Sequence, residues 1–95
     1  MILFIPFKEN SQRFYNKNFK LFQYTYNYLL NVKFDLSKVY VITDSSVVIE
    51  FVKKYGIKTI DEENAKDIKN RNEVIACYNA AKSLDISEFI WLPLT

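Results

Sequence analysis

The stretch Val39-Tyr40-Val41-Ile42-Thr43-Asp44-Ser45-Ser46-Val47-Val48-Ile49-Glu50-Phe51-Val52-Lys53-Lys54-Tyr55-Gly56-Ile57-Lys58-Thr59-Ile60 decides the fold class. Its first four residues are β-branched or aromatic and form an unbroken apolar run, the pattern of a strand buried on both faces of a parallel sheet. The run stops at Thr43-Asp44, where Asp44, Ser45 and Ser46 offer side-chain oxygens to cap a helix. Asp44 is read first as a cap and second as a ligand contact. Val48, Phe51, Val52 and Tyr55 then recur at i, i+3, i+4 and i+7, and Lys53 and Lys54 fall in the last turn, where the helix dipole favours cations. Gly56 takes the left-handed position past the helix end. Ile57 to Ile60 completes a strand-helix-strand unit with no hairpin signal between its strands.

The flanks repeat the alternation. Ile2 to Ile5 is a second apolar run, stopped by Pro6. Residues 7 to 18 carry no periodicity and read as a long polar loop, and Leu21, Tyr24, Tyr28, Leu29 and Val32 are spaced as one face of a helix over about 21–32. Asp61 to Arg71 reads as another polar loop. Asn72 is placed to cap a helix with Val74, Cys77, Tyr78 and Ala81 on its stripe, and Glu88 to Leu92 is a last strand. The order βαβαβαβ, with right-handed crossovers, predicts a three-layer α/β fold around a mostly parallel, Rossmann-like sheet. Cys77 belongs to its core. Tyr24, Tyr26 and Tyr28 are expected to pack against the sheet or a partner subunit rather than to stack on a ligand.

Composition narrows the function. Ninety-five residues make one small domain or part of a larger one, since domains cluster at about 100 to 150 residues. Thirteen basic against eleven acidic residues leave a net charge of +2, too weak for binding nucleic acid or anionic membranes on charge alone. Without His and with a single Cys, the chain has no internal disulfide, no Cys/His zinc site and no His base. No apolar run approaches the roughly 18 residues of a membrane span, and Met1 to Pro6 lacks the features of a signal peptide, so the cytoplasm is the expected address. The charge is nonetheless segregated. Residues 8–20 hold Lys8, Arg13, Lys17 and Lys20 against Glu9, whereas residues 61–67 hold Asp61, Glu62, Glu63 and Asp67 against Lys66. Ligands of open parallel sheets bind beyond the carboxyl ends of the strands, so the loops after Ile5, Ile42 and Leu92 should line one crevice. A basic loop there suits a polyphosphate, with the lysines as point charges, Arg13 as a bidentate fork and Ser11 as a donor. It is not a Walker P-loop, having no glycines and no Gly-Lys-Ser/Thr ending.

Ile5-Pro6-Phe7-Lys8-Glu9-Asn10-Ser11-Gln12-Arg13-Phe14-Tyr15-Asn16-Lys17-Asn18 resembles, without a gap, the amino-terminal signature Ile-Pro-Ala-Arg-Gly-Gly-Ser-Lys-Arg-Ile-Pro-Gly-Lys-Asn of the acylneuraminate cytidylyltransferases, the CMP-sialic acid synthetases and their CMP-Kdo synthetase relatives. Val41-Ile42-Thr43-Asp44-Ser45 is similar to the family's Val-Ser-Thr-Asp-Ser, Ala65-Lys66-Asp67 to its Ala-Ser-Asp, and Trp91-Leu92-Pro93-Leu94-Thr95 to the start of its Leu-Gln-Pro-Thr-Ser-Pro. The chain departs from the signature at Glu9-Asn10 for Gly-Gly, Gln12 for Lys, Tyr15-Asn16 for Pro-Gly and Ile42 for Ser.

The resemblance implies a nucleotide-diphospho-sugar transferase type of fold, of which residues 1–95 are the amino-terminal, CTP-binding half of an incomplete domain. It implies attack by the anomeric hydroxyl of a sialic-acid-like sugar acid on the α-phosphate of CTP, giving a CMP-sugar and pyrophosphate with Mg²⁺ assistance. By that likeness Lys8 and Lys17 are the candidate catalytic residues. Lys8, Ser11, Gln12, Arg13, Lys17, Asn18, Thr43, Asp44 and Asp67 are the candidate CTP-binding residues, and the metal ligands lie outside this chain. The implied partners are CTP, a sugar acid and a second subunit of a dimer, with no nucleic acid and no membrane. The alternative reading is a shortened, non-catalytic α/β unit that binds nucleotide or a partner subunit. A receiver-like signalling domain is disfavoured, because no clustered aspartates follow the first strand.

Overall fold

The computed structural model describes residues 1–7, 17–61 and 73–94. The chain runs β1 (Ile2–Pro6), α1 (Lys17–Asn31), a 3-10 turn (Leu36–Lys38), β2 (Val39–Thr43), α2 (Ser46–Lys53), β3 (Lys58–Asp61), α3 (Glu73–Ser83) and β4 (Phe89–Trp91). The strands form one four-stranded sheet in the order β3-β2-β1-β4, and each neighbouring pair is parallel. The α/β class and the alternating order read from the sequence are those of the structure.

The apolar runs form strands because side chains on both faces are covered. Leu3 and Ile5 of β1, with Val39 and Val41 of β2, face α1 and α2, where they meet Phe22, Leu29, Val48 and Val52. Phe4 of β1 and Ile42 of β2 face the opposite layer, against Ala76, Cys77, Ala80 and Ala81 of α3. The change of face follows from topology. The chain steps outward from β1 to β2 to β3 with helices on one side, then reverses past β1 to reach β4, and a right-handed crossover in the reverse direction puts α3 on the other side. Phe4, Phe7 and Phe22 are among the largest fully buried side chains, each contributing up to about 3 kcal/mol by leaving water.

The three α-helices among the described residues end in the same way. Lys33, Gly56 and Asp85 have positive φ of 57°, 72° and 54°, and the residue after each donates its N–H back into the last helical turn. The pairs are Phe34 to Leu29 O (3.0 Å), Ile57 to Val52 O (3.4 Å) and Ile86 to Ala81 O (3.0 Å). These are Schellman closures, each with an apolar residue following the left-handed position. The sequence marked only the closure at Gly56, since glycine alone takes the left-handed region without a Cβ penalty, whereas Lys33 and Asp85 adopt it at a cost. Before β2, the Asp35 carboxylate accepts from the Ser37 hydroxyl (2.7 Å) and the Ser37 N–H (3.0 Å), bonds that hold its carboxyl below the usual carboxylate range.

Two helix faces differ from expectation. Helix α1 starts at Lys17, inside the stretch read as loop, and buries or half-buries Phe19, Leu21, Phe22, Tyr26 and Leu29. Tyr24, Tyr28 and Val32 are exposed, Tyr24 by 74%, so only Tyr26 of the three tyrosines packs inward, against Tyr55 at 4.7 Å. The polar neighbours Lys17, Asn18 and Lys20 hid Phe19, whose inclusion rotates the stripe. On α3 the buried stripe is Ala76, Cys77, Ala80 and Ala81, while Tyr78 is exposed and stands edge-on to Phe89 at 5.7 Å. The small residues of α3 let the helix sit close to the sheet, leaving its one tyrosine outside.

Candidate functional site at the carboxyl edge of the sheet

Because the sheet is parallel throughout, the carboxyl ends of β2, β1 and β4 lie side by side at one edge. The reversal of strand order falls between β1 and β4, the place where open α/β sheets leave a crevice. Backbone bonds carry the alignment past the strand ends. Phe7 N–H donates to Ile42 O at 2.9 Å, and Leu92 N–H donates to Phe4 O at 3.0 Å. Leu94 then turns into the core beneath α1 and α2. The strand ends at Ile5, Ile42 and Leu92 thus come together as expected, while residues 8–16 of the first loop lie outside the described residues.

At the end of β2, Thr43 is 2% exposed and its Oγ1 accepts from Ser45 N–H at 3.2 Å, which fixes the turn into α2. Ser45 is the helix cap, its Oγ accepting from Val48 N–H at 3.3 Å. Asp44, read from the sequence as the cap, is instead exposed between the two. The turn held by Thr43 brings the shorter Ser45 side chain to the helix N–H groups, so Asp44 is left at the carboxyl edge with its carboxylate toward solvent. Ile42, in place of the signature's Ser, is buried under α3.

Helix α1 begins at Lys17, so its positive end arrives at the same edge as β1 departs, and Asn18 lies half-buried in its first turn. Lys20 is exposed. Lys8, Ser11, Gln12, Arg13 and Asp67 lie outside the described residues. Among the described residues no three His, Cys, Asp or Glu side chains gather as a metal site, so they do not by themselves fit the implied Mg²⁺. No helix among them is long and apolar enough to cross a membrane.

Sequence reasoning missed the aromatic packing beneath this edge. Phe7, Phe19, Phe22, Phe51, Tyr26 and Tyr55 form a continuous ring cluster, with Phe19 and Phe51 at 4.9 Å and nearly perpendicular. An open groove of about 470 Å³ lies beside it between α1 and α2, lined by Phe19, Ser46, Val47, Glu50, Phe51 and Lys54. The signal was present as the pair Phe7 and Phe19, obscured by the polar residues between them.

No family model and no curated protein matches the chain. A solved structure of CMP-2-keto-3-deoxy-manno-octonic acid synthetase complexed with CTP matches over 98% of this chain, with a TM-score of 0.74 and 20% identity. The present chain spans 39% of the length of that solved chain. The likeness shows the fold: a parallel, Rossmann-like sheet with helices on both faces.

Proposed function

We propose that this chain is the nucleotide-binding part of a cytidylyltransferase that transfers CMP from CTP to a sialic-acid-like or related sugar acid. The observation that carries the reading is the match of nearly the whole chain to a fold solved with CTP, in a protein that makes a CMP-sugar acid. The signature-like stretch from Ile5 to Asn18 supports it, because it begins at the carboxyl end of β1 and finishes in the first turn of α1.

In the proposed reaction the anomeric oxygen of the sugar acid bonds to the α-phosphorus of CTP, the bond to the β-phosphate oxygen breaks, and pyrophosphate leaves. Catalysis of such transfers is chiefly positioning and charge neutralisation. Lys8 and Lys17 are proposed to neutralise the triphosphate, with Ser11, Gln12, Arg13 and Asn18 as donors to it and Thr43, Asp44 and Asp67 as nucleotide contacts. Mg²⁺ would add charge neutralisation on the phosphates. The proposed setting is the cytoplasm, as a dimer. The test is pyrophosphate release in the presence of Mg²⁺ from CTP, UTP, ATP and GTP with a panel of 2-keto sugar acids, together with calorimetric titration of each nucleotide. CTP is expected to bind and to be the productive donor. Turnover with another nucleotide only would overturn the base assignment, and no binding of any nucleotide would remove the reading. A second reading, a non-catalytic α/β unit that binds nucleotide or a partner subunit, is favoured by Glu9-Asn10 standing where the signature has Gly-Gly, since a carboxylate there weakens the polyphosphate site that transfer requires. Calorimetric binding of CTP without pyrophosphate release would select it.

A further inference from the structure

The three segments that meet at the proposed nucleotide site are joined underneath it by rings. Phe7, 1% exposed, follows β1 immediately before Lys8; Phe19 follows Lys17 and Asn18 at the start of α1; Phe51 belongs to α2, whose cap at Ser45 follows Thr43 and Asp44. Their ring centroids form a triangle of 5.1 Å (Phe7 to Phe19), 4.9 Å (Phe19 to Phe51) and 6.2 Å (Phe7 to Phe51), and all three contacts are edge-on. Phe22 supports the triangle from below, at 5.6 Å from Phe7 and 5.7 Å from Phe51.

We propose that Phe7, Phe19 and Phe51 are positioning residues, which set the first turn of α1 against the ends of β1 and β2 and so fix where Lys17 and Asn18 meet the nucleotide. Edge-on ring contacts constrain orientation as well as distance, which aliphatic packing does not. The residue at position 7 is Phe where the resembled signature has Ala. A small residue there would leave α1 and β1 without this link. Phe51 is the member to test, because it is only half-buried, borders the open groove and touches Phe7, Phe19, Phe22 and Tyr55. A shorter side chain at that position can relax toward the groove without unfolding the core.

The inference rests on the nucleotide reading, and its test separates the two. The full 95-residue chain is compared with Phe51→Leu, Phe51→Tyr and Val52→Ala, the last being a fully buried α2 position outside the ring contacts. Two quantities are read: calorimetric affinity for CTP, and residual dipolar couplings of the amides in residues 17–22 relative to those of β1 and β2. Phe51→Leu is expected to weaken CTP binding about tenfold and to change the couplings of the first turn of α1. Phe51→Tyr, which keeps the ring and can place its hydroxyl in the groove, should restore both. Val52→Ala should lower the unfolding midpoint while affinity stays within about twofold and the couplings are unchanged. Unchanged couplings in Phe51→Leu, or an equal loss of affinity in Val52→Ala, would overturn the positioning role. If the unaltered chain binds no CTP the functional reading fails, and the couplings still decide whether the triangle orients α1.

Discussion

At the scale of single residues, the left-handed positions past the helices carry a measurable cost. A Cβ on Gly56 would meet nothing within 4 Å, so the penalty of Gly56→Ala is conformational, and we expect a loss of about 1 kcal/mol. The opposite change at Lys33, whose φ is 57°, should stabilise by about 0.5 kcal/mol, the relief of left-handed strain being partly offset by the entropy of an added glycine. Thermal unfolding of both variants checks the pair, and two shifts of the same sign would contradict the argument. Asp35 offers a pH test. Its folded-state carboxyl titrates below its unfolded value, so the stability it contributes is present above the unfolded carboxylate range, near pH 4, and is lost as pH falls through the folded value. The difference in unfolding midpoint between the unaltered chain and Asp35→Ala should therefore narrow on acidification from pH 6 to pH 2.

At the scale of elements, α2 separates two neighbouring polar residues that the sequence could not rank. Ser45 satisfies the Val48 N–H of a helix only eight residues long, so Ser45→Ala should cost about 1 kcal/mol. Asp44→Ala at the exposed position beside it should stay within about 0.5 kcal/mol in stability. Denaturant unfolding of the two variants makes the comparison, and an equal loss at both positions would return Asp44 to a capping role. If Asp44 contacts nucleotide as proposed, its variant loses CTP affinity while keeping its stability. The two properties then part at one residue.

At the scale of the whole molecule, the sheet gathers the ends of β1, β2 and β4 while the helices return to the same edge, where the proposed nucleotide site places the basic residues around the start of α1. Lys17→Ala is expected to lower CTP affinity or turnover by an amount corresponding to roughly 2 to 5 kcal/mol, the cost of removing an ammonium from a desolvated phosphate partner. Lys20→Ala, exposed farther along α1, should change it far less. Calorimetry with both variants tests the assignment, and two variants binding as well as the unaltered chain would reduce the basic stretch to a solubility feature. The β-α alternation, the buried strands and the end of α2 were legible in the residues themselves, because strand and helix periodicity and the conformational freedom of Gly56 are local properties. The gathering of strand ends at the carboxyl edge was legible too, as a consequence of a parallel sheet. What only the tertiary structure decided was the placing of β4 beside β1, the inward face of α1 with Phe19, the choice of Ser45 over Asp44, the left-handed turns at Lys33 and Asp85, and the ring triangle under the site. Each of these depends on packing between residues far apart in the chain or on a turn held by its neighbours, and periodicity along the sequence carries no record of which distant face a side chain will meet.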